Sequence, residues 1–284
     1  DTYPPGNTAL GPDPTLLTGR NLGQDFQSKD GFRMYHGTVI SDFPAHPHRG
    51  FETVTIAKKG LVDHSDSLGA VDRFGNGDVH WMTAGNGVQH CEMFTLINTS
   101  KNNPLLIFQI WINLPKAKKM CAPHFSMLWS EKIPKYTPHD DQNKKTKVTV
   151  IAGTLFRTKG LPPAPDSWAN NPENGVSIWA LEMEPGAQWM LPAHGADLSR
   201  TLYYFQGKNV ELENKKVLPN HLFKMVSDQP LHITNGPEIG HFLLLQGKPV
   251  NEPIAQYGPF VMNHQSEIQE TIREYQLTQF GGWP

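Results

Sequence analysis

Two pairs of residues in this chain could together bind a metal ion. His46 and His48 are two positions apart, and His90 and Glu92 repeat that spacing about forty residues later. Successive side chains of an extended chain point to opposite faces, so residues two apart project together. Two neighbouring strands could therefore bring three imidazoles and one carboxylate to a single point. The spacing predicts a metal site.

The donor set indicates what such a site could do. Nitrogen and oxygen donors without a thiolate suit first-row divalent ions. Four protein ligands on an octahedral ion leave positions open for water or substrate, and an open position is typical of catalytic rather than structural metal sites. We therefore expect chemistry at this point of the fold.

A third pair, His64 and Asp66, has the same spacing but different surroundings. It lies in the polar run from Asp63 to Ser67, whose composition is typical of a hairpin end. We interpret these as solvated side chains rather than ligands.

The stretches around the first two pairs resemble a known family. They read His46-Pro-His-Arg-Gly-Phe-Glu-Thr-Val-Thr55 and Asp78-Val-His-Trp-Met-Thr-Ala-Gly-Asn-Gly-Val-Gln-His-Cys-Glu92. Both closely resemble the pirin family of bicupins. The resemblance covers roughly residues 35–280 and includes the strand 109–114 and the segment 257–263. It implies an all-β fold of two tandem cupin-type barrels, with a C-terminal helix packing back on the first.

The resemblance also assigns the metal ligands. The family's iron ligands fall on His46, His48, His90 and Glu92, the residues already chosen by spacing. The general cupin pattern instead has its carboxylate shortly after the first histidine pair, where Glu52 stands. Glu52 is separated from His46 and His48 by an even number of residues, so in an extended chain its side chain could face the same interior. The resemblance favours Glu92 as the ligand and leaves Glu52 to orient a histidine.

Several pirins resemble flavonol 2,3-dioxygenases, which cleave quercetin-type compounds with loss of carbon monoxide. By that resemblance this chain is expected to be a metal-dependent dioxygenase acting on a flavonol-like aromatic substrate with dioxygen. Glu92 is the candidate catalytic base because it could take the proton of the 3-hydroxyl group. Fe(II) is expected through the family, although the donor set also accepts Mn, Co, Ni, Cu or Zn. Pocket or outer-shell candidates are Phe51, Glu52, His80, Trp81 and Met82.

Two other roles stay open. Nuclear members of the family are iron-dependent cofactors of transcription factors, so the chain could be a redox-sensing protein that modulates a protein partner. It could also be a structural bicupin stabilised by its metal, because a fold does not fix a function.

The elements that must position these residues are mostly strands. The 25 glycines, 24 prolines and many short Val/Ile/Thr/Phe/Trp runs favour an all-β fold rich in turns. A length of 284 residues is enough for two buried cores. Ser266 with Gln269 predicts the start of a C-terminal helix. The expected division is 1–133 for the metal-binding barrel, 134–147 for a linker, 148–262 for a degenerate barrel without metal, and 263–284 for the helix and tail.

Charge and cysteine content exclude some functions. With 25 Lys and Arg against 27 Asp and Glu, the net charge is -2, and no long basic block occurs, so direct nucleic-acid binding and binding to an anionic membrane are not expected. No apolar run approaches the roughly 20 residues that span a bilayer.

Two cysteines, Cys91 and Cys121, favour a reducing cytoplasm, while the start at Asp1 rather than Met leaves upstream processing open.

Overall fold

The computed structural model describes residues 1–283 and consists largely of antiparallel strands with a C-terminal α-helix. The chain divides into two compact units. Unit 1 contains Asp1–Ser130 and the chain from Glu252 onward, and unit 2 contains Glu131–Asn251. The predicted all-β class, with two β units and a C-terminal helix, is confirmed. Within the described residues, no helix is both long and apolar enough to cross a membrane.

Unit 1 is built from two four-stranded sheets. Their orders are β10-β6-β3-β9 and β2-β7-β4-β5, and β1 pairs with β8. Ala57, Phe74 and Phe94 come from both sheets and are buried together, so the two sheets share one core. The strands are β1 (Thr2–Tyr3), β2 (Ser41–His48), β3 (Phe51–Lys59), β4 (Leu61–Asp66), β5 (Val71–Gly75), β6 (Val79–Thr83), β7 (Val88–Phe94), β8 (Asn103–Pro104), β9 (Leu106–Asn113) and β10 (His124–Leu128), with short 3-10 helices at Pro14–Leu17 and Lys116–Lys118.

Unit 2 repeats this plan with a larger sheet. Six strands run in the order β11-β12-β15-β22-β17-β20, four in the order β16-β21-β18-β19, and β13 pairs with β14. Trp179 and Leu244 of the first sheet pack with Leu191 and Ile233 of the second in one apolar core. The strands are β11 (Lys135–Tyr136), β12 (Thr146–Ala152), β13 (Thr154–Leu155), β14 (Thr158–Lys159), β15 (Ser177–Met183), β16 (Gln188–Leu191), β17 (Ser199–Gln206), β18 (Val210–Leu212), β19 (Lys215–Val217), β20 (His221–Met225), β21 (Leu231–Asn235) and β22 (Gly240–Gly247), with 3-10 helices at Trp168–Asn170 and Pro172–Asn174.

The C-terminal segment returns to unit 1. It contains β23 (Ala255–Tyr257), β24 (Phe260–Met262), the helix α1 (Gln265–Thr278) and a 3-10 turn at Gln279–Gly281. Ile268 of α1 is fully buried against Phe260 and Met262. The helix begins earlier than Ser266 and Gln269 predicted, because His264 is the N-cap and Glu267 accepts its backbone N–H at 2.7 Å.

Two stretches group differently from the division expected from sequence. Residues 134–147 contain β11 and the start of β12, and they lie in unit 2 rather than forming a separate linker. Residues 252–262 lie in unit 1 rather than with the second barrel. One contact of this stretch with unit 1 is a backbone hydrogen bond of β24, in which Val261 N donates to Arg49 O at 3.0 Å.

Two irregularities of the chain direct the side chains around the predicted metal site. The register of β2 against β7 shifts between Phe43 and His46, and such bulges re-aim the side chains that follow. Gly50 then turns the chain between β2 and β3 with φ of +84°. A Cβ atom at Gly50 would lie 2.0 Å from the Val261 carbonyl oxygen, so a side chain there would clash with β24.

Candidate metal centre

Three of the four predicted ligands lie together inside unit 1. His46 and His48 come from β2, and His90 comes from the neighbouring strand β7, where it pairs with His46. The candidate ligand atoms of the three histidines lie within 4.8 Å of one another. The ring centroids are 4.4 Å apart for His46 and His90 and 4.9 Å apart for His48 and His90. The strand pairing therefore converges the imidazoles as the spacing predicts.

The nitrogens of these histidines are free to bind a cation. His48 Nδ1 lies 3.3 Å from the Pro259 carbonyl oxygen, and its buried Nε2 has no hydrogen-bond partner among the described residues. His46 Nδ1 is similarly 2.7 Å from the Pro44 carbonyl oxygen. Both ring nitrogens of His90 are buried without a partner in the described chain. An Nδ1–H that donates to a carbonyl leaves Nε2 as a lone-pair donor, which is the tautomer that metal-binding histidines use.

Burial keeps these imidazoles neutral. It lowers the pKa of His48 to about 3 and lowers the pKa of His90 well below its ordinary value. The pKa of the half-buried His46 is also lowered by burial. A neutral imidazole is the ligand form, so at neutral pH a metal does not have to displace protons from this group. Unpaired, uncharged nitrogens at this separation fit a divalent cation.

Glu92 lies on β7 two residues after His90 and is 4% exposed. The Gln109 side-chain amide lies 3.3 Å from each carboxylate oxygen and donates to them. Trp111 Nε1 donates in turn to Gln109 Oε1 at 3.2 Å, which fixes the orientation of the amide. Burial raises the pKa of Glu92. The compact group within 4.8 Å contains the three histidines and does not include Glu92, which shares the face of β7 with His90.

The side chain of Glu52 lies on the opposite face of its sheet from the one expected from its even separation from His46 and His48. Its carboxylate accepts from Thr83 Oγ1 at 2.8 Å and from Trp81 Nε1 at 3.1 Å. These three residues share the face of the β3/β6 sheet opposite to Phe51, which contacts His48. The alternation of side chains in β2 does not continue into β3, because the chain turns at Gly50. Glu52 therefore lies on the sheet face opposite to the residue that contacts His48.

His64 and Asp66 are buried, which corrects their assignment to a solvated hairpin end. Each is 1% exposed, and His64 Nε2 lies 3.2 Å from Asp66 Oδ2. The reason is that β4 pairs with both β5 and β7, so its alternate side chains face the barrel interior. The His64 ring is 5.4 Å from the His90 ring and 4.3 Å from the His80 ring. His80 is fully buried, and neither of its nitrogens has a hydrogen-bond partner in the described chain.

The apolar pocket candidates divide between two faces. The Phe51 ring packs 5.0 Å from His48 and 4.2 Å from the Trp111 ring. Met82 lies on the same face of the sheet as Phe51, while Trp81 lies on the opposite face with Glu52, where both are buried. Trp111 is 41% exposed, so it forms the solvent edge of the site. Trp111 and Gln109 were not among the site residues predicted from the sequence, although their spacing of two on β9 places them on one face.

Residues of the C-terminal segment bind the side chains of the residues next to His48 and His90 in the chain. Arg49 follows His48 and makes a two-pronged ion pair with Glu274 at 2.7 and 2.8 Å. Gln89 precedes His90, donates to the Gln279 carbonyl oxygen at 2.8 Å and accepts from Tyr275 OH at 3.0 Å. No local spacing in the sequence signals these contacts, because their partners are about 190 residues or more apart.

Two tandem β units of this topology, with a three-histidine group that could hold a metal in the first, define a bicupin. The chain belongs to the pirin family. It matches the family models described as Pirin over residues 17–112 and as Pirin C-terminal cupin domain over residues 178–281. It is 32% identical to a pirin-like protein of Solanum lycopersicum over 275 residues, covering 92% of this chain and 86% of the relative.

Similarity extends to the pirin of Mus musculus and to a solved structure. The mouse protein is 32% identical over 283 residues, covering 92% of this chain and 87% of the relative. The crystal structure of a quercetin 2,3-dioxygenase from Acinetobacter baumannii superposes with a TM-score of 0.74 at 30% identity, covering 86% of this chain and 81% of that one. The family and the two-barrel fold predicted from the sequence motifs are thereby confirmed.

Proposed function

We propose that this pirin is a metal-dependent dioxygenase that acts on flavonols, like quercetin 2,3-dioxygenase. One observation carries the proposal: the half-buried His46 and the buried His48 and His90 converge as neutral imidazoles, with unpartnered nitrogens on His48 and His90 among the described residues, and the buried Glu92 follows His90 by two positions on β7. The similarity to a quercetin 2,3-dioxygenase supports the choice of substrate class. The ligands in this proposal are His46, His48, His90 and Glu92.

The donor set fits Fe(II), which we propose as the native ion. Imidazole and carboxylate donors also accept Mn, Co, Ni, Cu and Zn, so availability contributes to which ion is bound. A bound metal would supply a Lewis acid that binds the deprotonated flavonol and supports its reaction with dioxygen. The His46 side is half-buried rather than closed, which leaves a route for substrate to reach the ion.

Glu92 is the residue proposed to move a proton. Burial raises the pKa of its carboxylate and so makes it a stronger base than an exposed glutamate. In the flavonol reaction it would take the proton of the 3-hydroxyl group, and general-base catalysis of this kind is most effective when the pKa of the base approaches the working pH. The two hydrogen bonds from Gln109 hold the carboxylate in place.

Aromatic side chains would position the planar substrate. Trp111 and Phe51 pack with ring centroids 4.2 Å apart beside His48. Trp111 is partly exposed at the solvent edge, where its indole face is available to stack on a flavonol ring. Phe51 lies deeper and excludes water from the histidines.

The test is a mixing experiment with the full-length, Fe(II)-loaded protein. Quercetin is added without oxygen, and air is then admitted. Loss of the flavonol absorbance with release of carbon monoxide is expected. Glu92→Gln should abolish turnover because its amide cannot take the proton, and His48→Ala should lower metal occupancy roughly ten-fold. Absence of turnover with every ion of the series above would refute the proposal and favour a redox-sensing role with a protein partner.

A further inference from the structure

A buried arginine faces the interior of unit 2. Arg200 on β17 alternates with Leu202 and Tyr204, and both of those side chains are buried in the apolar core of that unit. Residues two apart on a strand share a face, so Arg200 points into the same interior, at the end where β17 begins. It is only 2% exposed.

The guanidinium has few partners for its five N–H groups. Nη1 donates to the Pro192 carbonyl oxygen at 2.8 Å. Nε and Nη2 are buried and have no acceptor within residues 1–283. The carboxylate of Asp197, three residues earlier in the chain, pairs with Lys248 at 2.6 Å. Burial lowers the pKa of Arg200 to about 10, which still leaves it cationic at neutral pH. A buried cation without a counterion is strongly destabilising, so the arrangement calls for an anion.

Gln246 adds an acceptor next to this donor. It is the cross-strand partner of Arg200 on β22, and it alternates with the core residues Phe242 and Leu244. Gln246 Nε2 donates to the Gly175 carbonyl oxygen at 3.0 Å, which fixes the amide and leaves a buried Oε1 without a donor in the described chain. Ser177 on β15 continues this polar layer across the next strand. One end of an otherwise apolar barrel therefore offers two guanidinium nitrogens and one amide oxygen without partners among the described residues.

We propose that this end of unit 2 is a binding site for a small hydroxycarboxylic acid. The Nε and Nη2 groups of Arg200 form a planar fork whose geometry matches the two oxygens of a carboxylate. Gln246 Oε1 accepts a hydrogen bond from the ligand's hydroxyl group. A carboxylate supplies the missing negative charge, and the hydroxyl satisfies the orphaned acceptor. The site uses residues of unit 2 alone and does not depend on the metal centre or its proposed reaction.

The test is calorimetric titration of the full-length protein with glycolate at constant ionic strength. A carboxylate could also bind a metal in unit 1, so the titration is repeated in the His48→Ala background. Saturable binding is expected in both backgrounds. Acetate, which lacks the hydroxyl, should bind more weakly. Arg200→Met should weaken glycolate binding roughly ten-fold or more, whereas Lys224→Gln, which removes an exposed cation on β20, should not.

A second variant keeps the proposal testable if Arg200→Met fails to fold. Gln246→Glu places a carboxylate beside Arg200 and supplies the missing counterion from within the chain. We expect it to raise the melting temperature and to abolish glycolate binding. The proposal is overturned if the unmodified protein shows no saturable glycolate binding. It is equally overturned if binding survives unchanged in the Gln246→Glu protein.

Discussion

At the scale of single residues, Gln109 lowers the pKa of the proposed carboxylate ligand Glu92, together with His64 and against the larger raising effect of burial. Its amide donates to both oxygens of Glu92, and Trp111 orients that amide. Gln109→Leu removes both donors, so the pKa of Glu92 should rise further and a metal would then compete with a proton for its oxygens. We expect Co(II) or Ni(II) affinity at neutral pH to fall roughly ten-fold, the size typical of losing an outer partner of a metal ligand. Spectroscopic titration of the metal-free protein measures it.

A matched substitution separates this effect from a general loss of a glutamine. Gln269 is exposed on α1, and Gln269→Leu should leave the metal affinity unchanged. The Gln109→Leu loss should also shrink at higher pH, where Glu92 is ionised in both proteins. An affinity loss of the same size at every pH would show that Gln109 does not act through the ionisation of Glu92.

At the scale of elements, the C-terminal segment supports the strand ends that carry the histidines. Glu274 on α1 pairs with Arg49, which is 3% exposed and directly follows His48. The Pro259 carbonyl oxygen, just before β24, contacts His48 itself. Glu274→Ala would leave Arg49 without its carboxylate and loosen the helix from β2. Because Glu274 is half exposed, we expect a modest stability loss of about 1–2 kcal/mol, together with several-fold weaker metal binding.

Urea unfolding and a Ni(II) titration measure these two quantities on the same protein. Glu270 is exposed on the same helix, and Glu270→Ala serves as the control, because it removes one carboxylate without touching Arg49. Equal effects of the two variants would mean that helix charge, rather than the contact with Arg49, supports the site.

The elements also show how much of this site could be predicted from the sequence. Spacing within a strand is a local property of the sequence. The prediction made from it, that His46, His48 and His90 lie together, agrees with the structure. Glu52 was misplaced because the turn at Gly50 resets which face each residue takes. His64 was misjudged because its burial depends on β4 pairing with a strand distant in sequence. Arg200 gave no signal, since a single arginine in a strand is usually exposed. Contacts between distant segments therefore account for what the sequence reading missed.

At the scale of the whole molecule, unit 1 keeps several histidines buried and neutral in one barrel. Burial lowers the pKa values of His48, His80 and His90 far below the ordinary value of 6.5. The unfolded chain takes up protons on these residues as pH falls through about 6.5, while the folded chain does not. Acid therefore favours the unfolded state, and the stability of the metal-free protein should decline as pH falls below that value.

His80 allows this prediction to be tested away from the proposed ligands. It packs against His64, Phe74 and Phe125, and its pKa is lowered by burial and by His64, with a smaller opposing effect of Asp66. Going from about pH 7 to about pH 5.5, one such histidine should remove on the order of 1 kcal/mol of unfolding free energy. His80→Gln should reduce the acid-induced loss by that amount in urea unfolding of chelator-treated protein. His139→Gln, at an exposed position, should leave the loss unchanged. If His80→Gln and the unmodified protein lose the same stability over this interval, His80 is protonated in the folded state and the explanation is wrong.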